Sequence, residues 1–316
     1  MLHTLTPLLE LRGPHATNTF THVLLKLENT QPSGSFKLRG IGNMCKRAVE
    51  DKGATDFVCP SGGGAGIAAA LAGRKLCVPT TVVVPESTPE SVRVEIELQG
   101  AAVKVVGKDW NAANDHALMM CANGGATTLY VPPFDHPDIW DGNATMIDEI
   151  VQQQGKKPGI DFDVVICSVG GGGLFSGVAQ GLHRNGAGHV PIIAVETEGA
   201  ASLHAAAEAG ELVTIPAITT IATTLGARRV AQQAFDWTKK HDVRLEKVSD
   251  AQAVSACLRF AKDMKFLVEP ACGAALAVVY DRLPSVHGFT RPLVIVCGGC
   301  GVDMEKLQSW KAKFDL

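Results

Sequence analysis

Several features are scarce or missing in this 316-residue sequence, and each absence narrows what the chain can do. There is no excess of positive charge. Lys and Arg number 29 against 32 Asp and Glu, giving a formal net charge of −3. With the signs scattered, no basic stripe is available for a phosphate backbone, so nucleic acid is not expected as a main partner. No apolar run approaches the roughly 18 residues that a membrane helix needs, so no membrane partner is expected either. The opening Met1-Leu2-His3-Thr4-Leu5-Thr6-Pro7 lacks a cationic region followed by a continuous apolar stretch, and no signal peptide is expected. No repeat and no low-complexity tract is evident.

What is present reads as a packed protein. The hydrophobic fraction, 46%, is ordinary for a folded chain and excludes a disordered one. At about 150 residues per domain the length suggests two domains or one large α/β unit. Nine cysteines, an odd number at irregular spacings, read as reduced thiols in a cytoplasmic protein.

Short apolar, β-branched runs recur at Phe57–Cys59, Thr81–Val84, Val103–Val106, Val164–Cys167, Ile192–Val195 and Leu293–Cys297. They lack period-2 polarity, as strands covered on both faces should. Helical stretches alternate with them. Gly66–Leu76 is alanine-rich; Pro89–Leu98 has Ser87 and Thr88 as candidate caps and Pro89 at an early helical position; Asp250–Met264 and Gly273–Leu283 carry apolar residues at helical spacing. The alternation predicts an α/β fold with mostly parallel, helix-covered sheets. One series runs from about Lys37 to Pro132 and a second from about Asp141 onward, with the proline-rich segment Val131–Asp138 between them. The first thirty residues fit neither series by pattern.

Three segments can carry chemistry. Ser168-Val-Gly-Gly-Gly-Gly-Leu-Phe-Ser-Gly follows a predicted strand and precedes a predicted helix. Glycines at Gly170–Gly173 let successive N–H groups point into one concavity, and the following helix adds the positive end of its dipole. This makes a phosphate cradle. It lacks the Gly-Lys-Ser/Thr ending of a nucleotide-triphosphate loop, and no acidic residue follows in the context of a dinucleotide fingerprint. A second loop, Ser61-Gly-Gly-Gly-Ala-Gly, also joins a strand to a helix and suits a small carboxylate. The third segment, Gln31-Pro-Ser-Gly-Ser-Phe-Lys-Leu-Arg-Gly, sets Lys37 among small polar residues beside an aromatic. Taken singly, each loop could be a plain turn and the lysine a solvated side chain. A phosphate loop, a carboxylate loop and a special lysine together are what a pyridoxal phosphate enzyme requires.

At these residues the chain resembles the fold-type II pyridoxal phosphate enzymes. Pro-Ser-Gly-Ser-Phe-Lys37, Ser61-Gly-Gly-x-Ala-Gly, Ser168-Val-Gly-Gly-Gly-Gly and Val296-Cys-Gly-Gly are similar to that family's motifs. Val131-Pro-Pro-Phe-Asp-His-Pro, Ala194-Val-Glu-Thr and Leu267-Val-Glu-Pro-Ala-Cys-Gly-Ala-Ala-Leu-Ala extend the likeness over nearly the whole chain, toward the mammalian type of the serine/threonine dehydratases. The resemblance implies a small domain over 31–135 and a larger cofactor domain formed by 1–30 and 136–316. It implies a cytoplasmic homodimer that acts on a small amino-acid substrate by α,β-elimination of L-serine, with L-threonine as a second substrate. By position it assigns Lys37 to the Schiff base and to general-base work, and Phe36 to packing on the pyridine ring. Gly170, Gly171, Gly172 and Gly173 fall to the phosphate, Cys297 to the pyridine nitrogen as a neutral thiol, and Ser61, Gly62, Gly64 and Ala65 to the substrate carboxylate loop. Glu196, Ala200, Ser202, Leu225 and Ala227 match positions that ligate a monovalent cation such as K⁺ in relatives. Gly64 departs from the pattern, which has asparagine there; Pro60 replaces the usual serine, and Cys300-Gly-Val follows the final glycines where relatives have a polar pair. The Gly64 departure leaves open a β-replacement or otherwise altered enzyme of the same fold, or a cofactor-binding protein with little turnover.

Overall fold

A computed structural model describes residues 1–11, 20–155 and 160–316. The chain divides into two compact units, Met1–Thr4 with Gln31–Asn143, and Leu5–Thr30 with Ala144–Leu316. The order of elements begins with strands β1 (Leu8–Glu10) and β2 (Leu24–Leu27), which belong to the larger unit.

The smaller unit follows: helix α1 (Lys37–Lys52), β3 (Asp56–Cys59), α2 (Gly64–Leu76), β4 (Thr80–Val84), α3 (Glu90–Leu98), β5 (Ala102–Val105), α4 (Trp110–Gly124), β6 (Thr128–Tyr130) and the start of α5 (Pro137–Gln153). Its four strands lie in the order β5-β4-β3-β6, all parallel. The sheet is covered by helices because its central strands are apolar on both faces: Phe57, Val58, Cys59, Val82, Val83 and Val84 are all fully buried. The division between units falls within α5.

The larger unit continues with β7 (Val164–Ser168), α6 (Gly173–Arg184), β8 (Ile192–Thr197), α7 (Ser202–Ala209), α8 (Gln232–Lys240), β9 (Val243–Val248), α9 (Asp250–Met264), α10 (Pro270–Tyr280), β10 (Pro292–Val296) and α11 (Met304–Lys313). Its sheet runs β1-β2-β10-β7-β8-β9 and is parallel except for the antiparallel β1–β2 pair. Helix α10 is buried along its whole length, which suits its run of Ala, Val and Leu.

The predicted α/β class and mostly parallel sheets are therefore present. Four strands went unpredicted: β1, β2, β6 and β9. Strand β2 contains Lys26, a charge that breaks its apolar run. Lys26 is fully buried and donates to Glu149 at 2.7 Å, Gln153 Oε1 at 2.9 Å and the Thr6 carbonyl at 2.9 Å. Burying a charge is tolerable only with partners of this kind, and Glu149 stands far away in sequence.

Three helix boundaries also differ from expectation, one of them α10, which spans Pro270–Tyr280 where the apolar spacing predicts Gly273–Leu283, because Pro270 suits a first helical turn. Helix α3 begins after Pro89, whose ψ of 144° keeps it outside the helix, and no side chain caps it, so neither Ser87 nor Thr88 is a cap. Helix α2 starts at Gly64, two residues earlier than expected, which moves Gly64 and Ala65 from the loop into the first helical turn.

Candidate active site

In the smaller unit, Lys37 is the first residue of α1 and follows the capping position, Phe36. Its Nζ donates to the Pro133 carbonyl at 2.6 Å and lies 5.3 Å from the centroid of the Phe36 ring. The proline-rich segment thus supplies an acceptor that fixes the lysine's direction. Lys37 also acts on the thiol at the end of β3: burial pushes Cys59 up to about 12, and the nearby ammonium partly opposes that rise.

Ser61 and the glycines after it join β3 to α2. Gly63 stands at the N-cap of α2 and supplies no side-chain cap, so the first-turn N–H groups are not taken by a capping side chain. Thr88 explains why residue 62 is glycine: a Cβ there would lie 2.5 Å from the Thr88 hydroxyl oxygen. Gly64 has no left-handed φ.

In the larger unit, Gly170–Gly173 join β7 to α6. Gly172 is the N-cap of α6 at φ +92°, again without a side-chain cap, and a Cβ on it would lie 2.4 Å from Ala234 Cβ. A Cβ on Gly170 would lie 3.1 Å from Leu225 Cα. The cradle is therefore closed to side chains by its own walls, and it offers main-chain donors at the positive end of a helix. These residues fit a phosphate monoester.

Cys297 follows β10 and is buried. Its hydrogen bond with Cys272 comes first among the causes that push its thiol well above the ordinary range, followed by burial and by the Cys272, Glu269 and Cys167 groups. The thiol stays protonated. Cys297 also begins a Cys-Gly-Gly-Cys run ending at Cys300, a spacing the cysteine count passes over; both are free thiols.

Of the residues matched to a cation site, Glu196 is the next-to-last residue of β8 and fully buried, and its carboxylate already has partners. Leu203 N–H donates to Oε1 at 2.8 Å, while His204 donates its N–H to Oε2 at 2.9 Å and brings Nδ1 within 2.8 Å of the same oxygen. Ala200 lies in the short turn after β8, and Ser202 begins α7. Leu225 and Ala227 share one turn, closed by Ala227 N–H donating to the Leu225 carbonyl at 2.7 Å. The Ser202 and Thr197 hydroxyl oxygens are buried without a partner. No group of three or more His, Cys, Asp or Glu side chains suited to a metal ion occurs among the described residues.

Sequence reasoning passed over several neighbours of these groups. His204 stands in no motif, and Cys272 and Glu269 stand only within the Leu267–Ala277 motif. Glu269 accepts from the Thr224 hydroxyl at 3.1 Å beside the cation-matched turn. Pro133 was visible only as part of a motif.

Each unit by itself carries features that suit a pyridoxal-phosphate dependent enzyme: a lysine at a helix start beside an aromatic ring and an uncapped helix behind Ser61 in the smaller, a glycine-walled anion cradle in the larger. The family described by that term matches residues 1–298, and the chain belongs to it. The chain is 45% identical over 304 residues to the L-serine dehydratase/L-threonine deaminase of Homo sapiens, covering 94% of this chain and 91% of that protein. It is also 45% identical over 320 residues to the serine dehydratase-like protein of Homo sapiens, covering 98% and 94%. Among solved structures, a fungal L-serine ammonia-lyase from Rhizomucor miehei matches with a TM-score of 0.90 at 38% identity, covering 99% of each chain. The architecture is that of a fold-type II pyridoxal phosphate enzyme.

Proposed function

We propose that this chain is an L-serine dehydratase that also accepts L-threonine, releasing pyruvate or 2-oxobutanoate together with ammonia. The observation that carries this reading is the 45% identity, over 304 residues, with a protein named for both activities. A β-replacement activity and a low-turnover binding role are less favoured, since the relatives named above are dehydratases or a lyase by name.

Pyridoxal phosphate, when bound, supplies an electron-withdrawing ring that stabilises negative charge at the substrate α-carbon. The remaining work falls to the chain. Lys37 Nζ takes the α-proton, and the Pro133 carbonyl, accepting at 2.6 Å, restrains the approach of that nitrogen. Gly170, Gly171, Gly172 and Gly173 hold the phosphate through main-chain N–H groups at the head of α6. Phe36 packs on the ring. Cys297 serves the pyridine nitrogen as a neutral thiol, a role its raised pKa supports. Ser61, Gly62, Gly64 and Ala65 bind the substrate carboxylate through the loop and the first turn of α2.

Glu196, Ala200, Ser202, Leu225 and Ala227 hold K⁺, whose preference for oxygen donors suits a carboxylate, carbonyls and a hydroxyl. The partnerless buried hydroxyl of Ser202 supports that assignment. We also place the enzyme in the cytoplasm as a homodimer; nine free thiols suit a reducing compartment.

The test is product identification. Purified holoenzyme given L-serine should release pyruvate and ammonia in equal amounts. Consumption of serine without pyruvate, or no consumption, would overturn the reading.

A further inference from the structure

In the smaller unit, the connections after β3, β4 and β5 lie at the carboxyl ends of neighbouring parallel strands, the edge where α/β sheets present ligand-binding loops. The first connection is the one assigned above to the substrate carboxylate. It enters α2 through Gly62, Gly63 and Gly64, three residues in a row without a Cβ. Such a run is the least constrained backbone available. The loop's Ser61 carbonyl packs on Gly66, where a Cβ would lie 2.1 Å away, but its middle is open, since a Cβ on Gly63 would meet nothing within 4 Å.

Side chains from the other two connections hold it instead. Trp110, the first residue of α4, donates its indole Nε1–H to the Pro60 carbonyl at 2.7 Å. Thr88 lies against Gly62, so that a Cβ at 62 would be 2.5 Å from its hydroxyl oxygen and 2.8 Å from its methyl carbon. The two supporting connections are tied to each other as well: Glu86 N–H donates to the Gly107 carbonyl at 2.9 Å. Asp109 caps α4 by accepting from Ala112 N–H at 3.0 Å, which fixes the turn that presents Trp110. Trp110 is 44% exposed, so core burial does not account for a tryptophan there. Its one polar atom is spent on the loop.

We propose that Trp110 and Thr88 are positioning residues for the substrate carboxylate. They brace the main chain from Pro60 to Gly63, so that the donors of the loop and of the α2 start converge on one anion. The inference rests on the assignment of Ser61–Ala65 to the substrate carboxylate. Neither side chain touches substrate. Their loss weakens substrate binding and leaves turnover and cofactor binding in place.

The experiment compares wild-type and Trp110→Phe holoenzyme, the variant keeping a ring but losing the N–H. The KM for L-serine should rise about three- to tenfold, the range for one neutral hydrogen bond, while kcat stays within about twofold and the cofactor absorbance is unaltered. The amide of Ile67, which donates to the Gly63 carbonyl at 3.2 Å, should exchange with solvent about tenfold faster by the same reckoning, with 70–76 unchanged. Should Trp110→Phe fail to fold, Thr88→Ala and Thr88→Val serve instead. The alanine variant, which removes the packing, should reproduce both changes, and the valine variant, which keeps the shape, should not. Wild-type KM and wild-type exchange in Trp110→Phe or Thr88→Ala overturn the proposal. So does a fall in kcat with loss of cofactor, which marks a general fold defect. If wild-type holoenzyme leaves serine untouched, the functional reading fails, and the exchange rate of the Ile67 amide still decides for or against the brace.

Discussion

Lys37 Nζ and the carbonyl oxygen of Pro133 lie 2.6 Å apart, joining the head of α1 to the proline-rich segment that follows β6. A carbonyl accepts but cannot protonate, so it aims the amine without neutralising it by ion pairing. If this lysine carries the cofactor, borohydride treatment of the holoenzyme should fix the cofactor to the peptide containing Lys37. Lys37→Ala should abolish that label and lower pyruvate release by about 10²–10⁴, the usual contribution of a general base, or more. Recovery of the label on Lys75 or Lys104 would refute the assignment.

The glycine-walled cradle makes a second prediction. Gly171 has no side chain to place in the loop, and its carbonyl accepts from Ala231 N–H at 3.0 Å. Gly171→Asp would bring a carboxylate toward a phosphate. Two unit charges about 4 Å apart repel by about 4 kcal/mol at an effective dielectric near 20. Cofactor affinity, measured by absorbance titration of apoenzyme, should fall by about a hundredfold or more. Unchanged affinity would make the loop only a turn.

The carboxylate of Glu196 is held by three nitrogen donors from the start of α7, while the Ser202 hydroxyl beside it lacks a partner. Exchanging K⁺ for tetramethylammonium should therefore lower activity or cofactor retention, and Glu196→Gln should mimic the exchange. If activity and cofactor content ignore both changes, Glu196 is a structural cap of α7.

Gly64 supplies a fourth test. It opens α2 without a left-handed φ, so asparagine can be installed there without backbone strain. An asparagine amide there adds a donor at the start of α2, and a hydrogen bond to a charged group of the cofactor or substrate is worth about 1.5–3 kcal/mol, or about ten- to a hundredfold when felt in the transition state. Gly64→Asn should raise serine dehydration within that range and shift the cofactor's absorbance. A native enzyme that is already fast, with an asparagine variant no better, would show that this position does not limit the chemistry.

A stability prediction comes from the larger unit. His241 is buried, and its Nε2–H donates to the Val190 carbonyl at 2.8 Å, which leaves Nδ1 to accept from His183 Nε2 at 3.1 Å. Burial lowers the His241 pKa from its ordinary 6.5. Below about 6.5 the unfolded chain then binds a proton that the folded chain resists, so stability falls as the pH falls through that window and is regained as it rises. His241→Gln should flatten the dependence of Tm on pH between about 7 and 5. An undiminished slope would assign the acid sensitivity to other groups.

Much of this protein is legible in its amino-acid order. The buried parallel strands announce themselves as short runs of Val and Ile, because a strand covered on both faces needs no polar side. The glycine loops were visible too, since both stand between a strand-like and a helix-like stretch. The motifs around Lys37, Ser61 and Gly170–Gly173 pointed to the pyridoxal phosphate family that the chain belongs to.

Other features depended on tertiary structure. Strand β9 at the sheet edge is mostly half-buried, with Arg244, Glu246 and Lys247 in its six residues, so its sequence carries no strong apolar run. Strand β2 tolerates Lys26 only because Glu149, Gln153 and Thr6 fold back onto it. Thr88 looked like a helix cap and instead packs on Gly62; Trp110 showed no role until its indole met the Pro60 carbonyl. By itself, the amino-acid order determined which segments could be strand, helix or anion loop, because those properties reside in neighbouring residues. The tertiary structure alone decided which distant donor meets which acceptor. A single hydrogen bond across fifty or a hundred residues leaves no periodicity for the sequence to display.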